Sequence, residues 1–259
     1  MLNLQDIESY FPEYLREFKR NILREYLQYK ILKILFETDM VSKLSFIGGT
    51  SLRIVYNLSR FSEDLDFDNF GLKEKEFNNA SVVIKKELEL EGLDIEILNF
   101  VNNTTFHCEI KFPTLLFNND LSVHKNEKIL VKVDTQSHDF KYKPDVKLLN
   151  KFDVFTNVNV TPLDILLSMK FNALFKRKRI QGRDFYDIVF LLGKTSPNYD
   201  YLKQKLGIKN SKDLKEKILH KCKELNFKKI SEDLEPLVFA SKDLNKVLLF
   251  SQCIEQSEL

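Results

Sequence analysis

Apolar residues between positions 13 and 37 recur at steps of three and four: Leu15, Phe18, Ile22, Leu23, Tyr26, Leu27, Ile31, Ile34 and Leu35. Charged residues fill the intervals, so the spacing predicts one long amphipathic helix. A short apolar cluster at 44–47 stops at Gly48-Gly49 and reads as a strand ending in a turn. Leu52, Ile54, Val55 and Leu58 then return to helical steps. Along 61–68, Phe61, Leu65 and Phe67 occupy odd positions while Asp64, Asp66 and Asp68 occupy even ones. Period two predicts a strand with its carboxylates on one face. The pattern continues as a helix at 73–91 and strands at 93–100, 105–112 and 128–135. Residues 139–161 are irregular, with a candidate strand near 154–160.

The Thr161-Pro162 step changes the pattern. Proline suits a first helical turn, and the chain beyond it reads as helical almost to its end. Helices are predicted at 164–175 and at 184–192, the second closing at Gly193 near Pro197. Ser211, Ser231 and Ser241 are candidate N-caps for three more. The fold class is α/β. An N-terminal helix and an α/β unit occupy residues 1–160, and a helical domain occupies 161–259. No repeat of domain size and no low-complexity tract interrupts this plan.

Composition excludes several classes. The 259 residues are 43% hydrophobic and 30% charged, and 22 Phe with 9 Tyr supply ample apolar surface to offset chain entropy, so disorder is excluded. Apolar stretches such as 188–192 fall far short of the roughly 18 residues a membrane span needs. The N-terminal sequence shows neither a basic n-region nor an apolar h-region, so no export signal is read. Cys108, Cys222 and Cys253 are odd in number and widely spaced, which fits neither a disulfide framework nor a C-x-x-C zinc site. The cytoplasm is the default compartment.

The net charge of +2 is unevenly spread: residues 170–229 hold 17 Lys/Arg against 6 Asp/Glu, or +11. Residues 230–259 hold 2 against 6, or −4, and the first 169 hold 21 against 26, or −5. A polyanion meeting the second half explains this asymmetry. A solvated lysine-rich helical surface explains it more simply, and composition alone favours that reading.

Two blocks carry candidate chemistry: GGTSLR at 48–53 and SEDLDF at 62–67. In the first, glycines allow main-chain amides to approach a phosphate at the start of a helix. Thr50 and Ser51 add hydroxyls. In the second, Asp64 and Asp66 stand two apart on a strand and so share a face. Like charges that close call for a cation, and hard oxygen ligands suit Mg²⁺ holding a nucleotide's phosphates. Taken separately, each block also reads plainly, as a turn and as an acidic solvent-facing strand.

Together the blocks resemble the signature of the DNA polymerase beta superfamily of nucleotidyltransferases, with Ile47-Gly48-Gly49 before Asp64-Leu65-Asp66. The resemblance implies a third carboxylate from a later strand, for which Asp134 in ILVKVDT is the candidate. Three carboxylates would hold two metal ions. With SMKFNALFKRKRIQGRDFYDIVFLL added, the chain is similar to the AbiEii toxin family, with which the MenT toxins belong. That resemblance spans roughly residues 40–192. It implies nucleotidyl transfer from an NTP to an RNA, with the tRNA 3′ end as acceptor. It also implies a cognate antitoxin and a role in abortive infection, a form of phage defence. By the same resemblance Ser62 and Asp64 match a Ser-x-Asp motif and Lys170 a phosphate-contacting lysine. Asp184 and Asp187 match an acidic motif on the next helix.

Alternatives stay open at several positions. Lys170 lies on an apolar helix and either snorkels to solvent or enters a site. Asp184 and Asp187 share a helical face, and either can be the helix cap and the other the functional group. Ser62 reads equally as a turn residue. Lys176, Arg177, Lys178, Arg179 and Arg183 form a basic cluster that would hold an RNA backbone or line a solvated loop. Gly48, Gly49, Thr50, Ser51 and, by the resemblance, Ser62 and Lys170 are assigned to the nucleotide, as are Arg53 and Arg60, for which a surface ion pair is the other reading. His107, His124, His138 and His220 show no metal spacing and read as structural or surface residues. No P-loop and no G-x-S-x-G motif is present. Two other functions share these motifs, a small-molecule nucleotidyltransferase and a non-catalytic nucleotide-binding module.

Overall fold

The computed structural model describes residues 1–102, 105–137 and 139–259. It divides the chain into two compact units. The first comprises residues 1–56, 62–139 and 144–160, and the second 57–61, 140–143 and 161–259. Two short segments of the first 160 residues thus group with the helical unit.

The first unit is built on a seven-stranded mixed sheet: β1 (Leu44–Ile47), β2 (Leu65–Asn69), β3 (Glu96–Val101), β4 (Thr105–Phe112), β5 (Ile129–Ser137), β6 (Asp145–Lys151) and β7 (Val154–Val160). The order is β3-β4-β5-β2-β1-β7-β6. β2 runs parallel to β5 and β1 parallel to β7, while the other neighbours are antiparallel. Its helices are α1 (Leu4–Ser9), α2 (Lys19–Phe36), α3 (Gly48–Tyr56), α4 (Glu74–Leu90) and α5 (Leu115–Asn118). α2 packs on β5 and β7, and α4 on β3 and β4. The apolar side of the sheet, including Phe67, Phe106, Ile110, Val131 and Val133, is buried. Alternation therefore leaves His107, Asp134 and Asp66 on the opposite side.

α2 is buried on nearly every side, and several of its buried polar residues find partners. Gln28 donates to the carbonyls of Ser62 and Glu63, and Lys30 pairs with Asp153 and Glu91. The expected helix over 13–37 is interrupted: a 3₁₀ turn covers Glu13–Leu15, and Phe18 leaves helical geometry at ψ 45° before α2 begins. The strand expected from residue 61 begins at Leu65. β1 ends opposite Asp66, and residues 62 and 63 give their carbonyls to Gln28 instead of a strand. β6 was not expected. It lies at the sheet edge with Val146 and Leu148 exposed, so it lacks a buried alternation.

The second unit contains α6 (Leu163–Lys176), α7 (Gly182–Leu192), α8 (Tyr199–Leu206), α9 (Ser211–Cys222), α10 (Phe227–Ser231), α11 (Asn245–Leu248) and α12 (Phe250–Gln256). α6 packs on α7 and α8, and Phe185 meets Phe227 and Phe250 edge-on at 5.1 and 4.8 Å. The serine caps are corrected. Asn198, Asn210 and Asn226 cap α8, α9 and α10 through their side-chain oxygens. Ser211 is the first residue inside α9, Ser231 ends α10, and Ser241 opens a 3₁₀ turn without capping it. Asparagine fills the same role as serine because its carbonyl reaches the third amide equally well. Among the described residues no helix is long and apolar enough to cross a membrane.

Candidate active site

In the first unit the candidate site grows from one row of the sheet. Asp66 on β2 is the register partner of Ile47 on β1 and of Asp134 on β5, and Asp134 is the partner of His107 on β4. His107 in turn faces Phe100 on β3. Paired residues on neighbouring strands point to the same side, so Asp66, Asp134 and His107 stand in line. Asp64 lies two residues before Asp66, and Asp64 and Asp66 are both partly exposed. The Asp68 carboxylate, by contrast, is buried.

Gly48 joins β1 to α3 with φ +79°. A Cβ there would overlap the Asp66 carboxylate and come within 3.1 Å of Asp66 Cβ. Only glycine allows both the left-handed backbone and this approach. The Thr50 hydroxyl donates to the Asp64 carbonyl at 2.5 Å and that of Ser51 to the Gly48 carbonyl at 2.9 Å. These two hydroxyls, expected at a phosphate, brace the turn in this structure. What the turn presents to an anion is the main-chain amides of the first helical turn, at Gly48, Gly49, Thr50 and Ser51. Arg53 is likewise committed inward. Its Nε donates to Glu25 at 2.8 Å, and Lys151 shares the same carboxylate at 2.8 Å. The Ser62 carbonyl is held by Gln28.

His107, read as a structural or surface residue, has a specific partner in Asp134. Its Nδ1 donates to Asp134 Oδ1, while Nε2 stands 3.7 Å from Glu109, a carboxylate already engaged by Lys111 at 2.8 Å. Sequence reasoning had no local signal for this pair, because it depends on the β4–β5 register. Cys108, on the buried face, has its thiol pushed up to about 12 by burial, with the Asp134 and Glu109 charges adding to the shift. His124 lies in an exposed loop and His220 in the last turn of α9, as expected, and His138 lies outside the described residues.

Among the described residues no three His, Cys, Asp or Glu side chains converge as a closed metal group. Neighbouring carboxylates with room for substrate oxygens are instead the open arrangement that Mg²⁺ uses, since it retains waters and binds through one or two carboxylates plus phosphates. The bare Gly48 backbone lets the Asp66 carboxylate pack against the turn, where a side chain would displace it. The donor set fits Mg²⁺.

In the second unit, Asp187 on α7 is fully buried and receives two cations. Arg60 grips it with Nε at 2.8 Å and Nη2 at 2.7 Å, and Lys170 on α6 reaches it at 2.6 Å. Burial alone would raise the Asp187 carboxyl, but Arg60 and Lys170 outweigh it and hold the group below its ordinary value. Two cations on one carboxylate leave one net positive charge. Arg60 is thus neither a phosphate ligand nor a surface ion pair: it is fully buried, and its Nη1 donates to the Phe61 carbonyl.

Asp184 is also buried. It closes the capping box of α7 from the third helical position, with Gln181 as the N-cap, and binds Arg177 at 2.7 Å. Arg177 is exposed like Lys176, Lys178 and Arg179 but is tied to Asp184, and Arg183 donates to Gln181. Gly182 is required where α7 starts, because a Cβ would come within 2.6 Å of the Ile230 carbonyl.

Comparison with known proteins places these features in context. A family model described as nucleotidyl transferase AbiEii toxin, type IV TA system, matches residues 30–246. Among solved structures, the MenT4 nucleotidyltransferase toxin of Mycobacterium tuberculosis H37Rv is similar, with TM-score 0.59 and 14% identity over 100% of this chain and 91% of its own. JHP933 of Helicobacter pylori is similar with TM-score 0.56 and 19% identity, over 91% of this chain and 90% of its own. At these identities the likeness is one of fold. No curated protein matches.

Proposed function

This chain belongs to the AbiEii nucleotidyltransferase toxin family of type IV toxin–antitoxin systems, and from that premise we propose that it moves a nucleoside monophosphate from an NTP onto the 3′ hydroxyl of an RNA, with tRNA as the acceptor. The observation that carries the reading is the placement of Asp66 opposite Asp134, with Gly48 packed against the Asp66 carboxylate. Family membership brings a nucleotide substrate and an antitoxin partner. The acceptor and the metal are this proposal's own.

Asp64, Asp66 and Asp134 are the residues that would hold Mg²⁺, two ions in the full complement. When bound, Mg²⁺ neutralises phosphate charge and makes the acceptor hydroxyl more acidic. The remaining steps belong to the chain. The first-turn amides of α3 receive the triphosphate oxygens. The acceptor oxygen attacks the α-phosphorus, its proton passes to the Asp134 carboxylate, and the bond to the β-phosphate oxygen breaks, releasing pyrophosphate. Lys170 is assigned here to phosphate charge, the role that the family resemblance gives it. Asp187 leaves the Lys170–Arg60 pair with a surplus positive charge suited to that task. Lys176, Lys178, Arg179 and Arg183 contact the acceptor's phosphates.

The test is a labelling assay with Mg²⁺, each α-labelled NTP in turn and total tRNA, with Asp64→Ala alongside. Label on tRNA from one NTP, lost in the variant, supports the reading and names the donor. Label only on small molecules overturns the RNA acceptor in favour of an antibiotic- or metabolite-modifying enzyme. Label in neither pool leaves a nucleotide-binding module.

A further inference from the structure

We infer that His107 is a positioning residue: it fixes the orientation of the Asp134 carboxylate beside Asp66. This rests on the reading of Asp134 as a site carboxylate proposed above. Four features carry it. His107 and Asp134 are direct register partners on antiparallel strands, so their side chains leave the sheet on the same side. Nδ1 of the ring, and not Nε2, meets the carboxylate. Lys111 occupies the competing carboxylate of Glu109, which leaves Nε2 at 3.7 Å, beyond hydrogen-bonding distance. Phe100 completes the restraint, with its ring 5.6 Å from the imidazole and tilted by 40°.

An aspartate has two nearly equivalent oxygens and a freely turning terminal torsion. On an open sheet face, nothing in the strand backbone itself decides where they point. A donor pinned between a strand neighbour and an aromatic ring does decide it. Partners of this kind around metal-binding carboxylates typically account for about 10–100-fold in metal affinity or activity. The row Phe100–His107–Asp134–Asp66 thus works as a brace that starts at the sheet edge and ends at the reacting groups.

Two substitutions separate the donor from the ring. His107→Phe keeps the ring and its contact with Phe100 but has no donor. His107→Asn places an amide N–H near the position of Nδ1 and has no equivalent of Nε2. Each is compared with wild type in three measurements: Mn²⁺ binding to the nucleotide-free protein by electron paramagnetic resonance, kcat and NTP KM for transfer, and thermal melting. His107→Phe is expected to lose about 10–100-fold in kcat or in Mn²⁺ affinity, with NTP KM and the melting temperature close to wild type. His107→Asn is expected to recover most of that loss. A Phe variant indistinguishable from wild type overturns the assignment. So does an Asn variant as poor as the Phe variant while still folded, because Nε2 would then be the group that matters. If wild type transfers no nucleotide, the function proposed above fails, and the Mn²⁺ titration alone decides the role of His107. If wild type neither binds Mn²⁺ nor transfers a nucleotide, both readings fall together.

Discussion

Gly48 and Asp66 are packed so closely that a single methyl group on the glycine would occupy the space of the aspartate's carboxylate. The glycine's φ of +79° independently disfavours any side chain. Gly48→Ala therefore combines a backbone cost of about 1–3 kcal/mol with displacement of a site carboxylate. The expected result is a lower melting temperature together with loss of transfer. A Gly48→Ala protein with wild-type kcat would show that Asp66 need not stand where it does.

Asp66→Asn separates chemistry from folding. Its side chain is partly exposed on the polar sheet face, so the fold should survive. Removing one of several neighbouring like charges should leave the melting temperature equal or higher in metal-free buffer. Transfer should fall by more than the roughly 10–100-fold typical of losing an outer partner of a metal site. The rise in melting temperature that Mg²⁺ gives wild type should vanish. Joint loss of stability and activity would count against the ligand role.

The Arg60–Asp187 pair predicts a stability effect without any substrate. Removing one partner of a buried ion pair costs about 3–5 kcal/mol, so Asp187→Asn should unfold at markedly lower urea. The pH dependence follows in sign. The Asp187 carboxyl is held below its ordinary value, so its contribution is fully present above the unfolded value of about 3.9 and is lost as pH falls through the folded value. Urea titrations between pH 6 and 3 should show a steeper acid loss in wild type than in Asp187→Asn. Parallel curves would remove Asp187 from the account.

For the basic loop, the prediction is a difference between neighbours. Lys178 and Arg179 are exposed, whereas Arg177 is already tied to Asp184. Replacing Lys178 or Arg179 with Ala should weaken binding of a single-stranded RNA and flatten the salt dependence by about 0.7 per lost contact. Arg177→Ala should change the salt slope less and helix stability more. Equal slopes for all three variants and wild type would assign the loop to solvent.

The cysteines offer a check that does not involve the site. Burial pushes the Cys108 and Cys222 thiols upward, Cys108 to about 12, and both are buried, whereas Cys253 is partly accessible. A thiol reagent at neutral pH should modify Cys253 first in the folded protein and all three in urea. Fast labelling of Cys108 would mean that β4 is not part of a stable sheet.

How much of this was readable in the sequence depends on the range of each interaction. The alternation of 61–68 correctly separates Leu65 and Phe67 from the carboxylates, because burial of one strand face is a local pattern. It misses where β2 starts, because Gln28 on another helix takes the preceding carbonyls. The serine caps failed for separate reasons: Asn210 caps α9 one residue ahead of Ser211, Ser231 ends a helix that Asn226 caps, and Ser241 opens a 3₁₀ turn behind Ala240, which has no capping side chain. β6 was invisible because an edge strand buries little and so has no pattern to show. His107 and Arg60 could not be found at all. One depends on a strand register, the other on a partner 127 positions away.

That last separation has a consequence in time. A ribosome adding about 5–20 residues per second needs on the order of ten seconds to travel from Arg60 to Asp187, 127 residues later. Throughout that interval the guanidinium has no carboxylate to enter with, and the segment 57–61, which leads directly into Asp64 and Asp66, has no helical unit to join. Residues 57–61 are made early, but the rest of the unit they belong to is made late. A nascent or truncated chain of this toxin family member is thus unfinished at the residues that lead into Asp64 and Asp66 until most of its length has been synthesised.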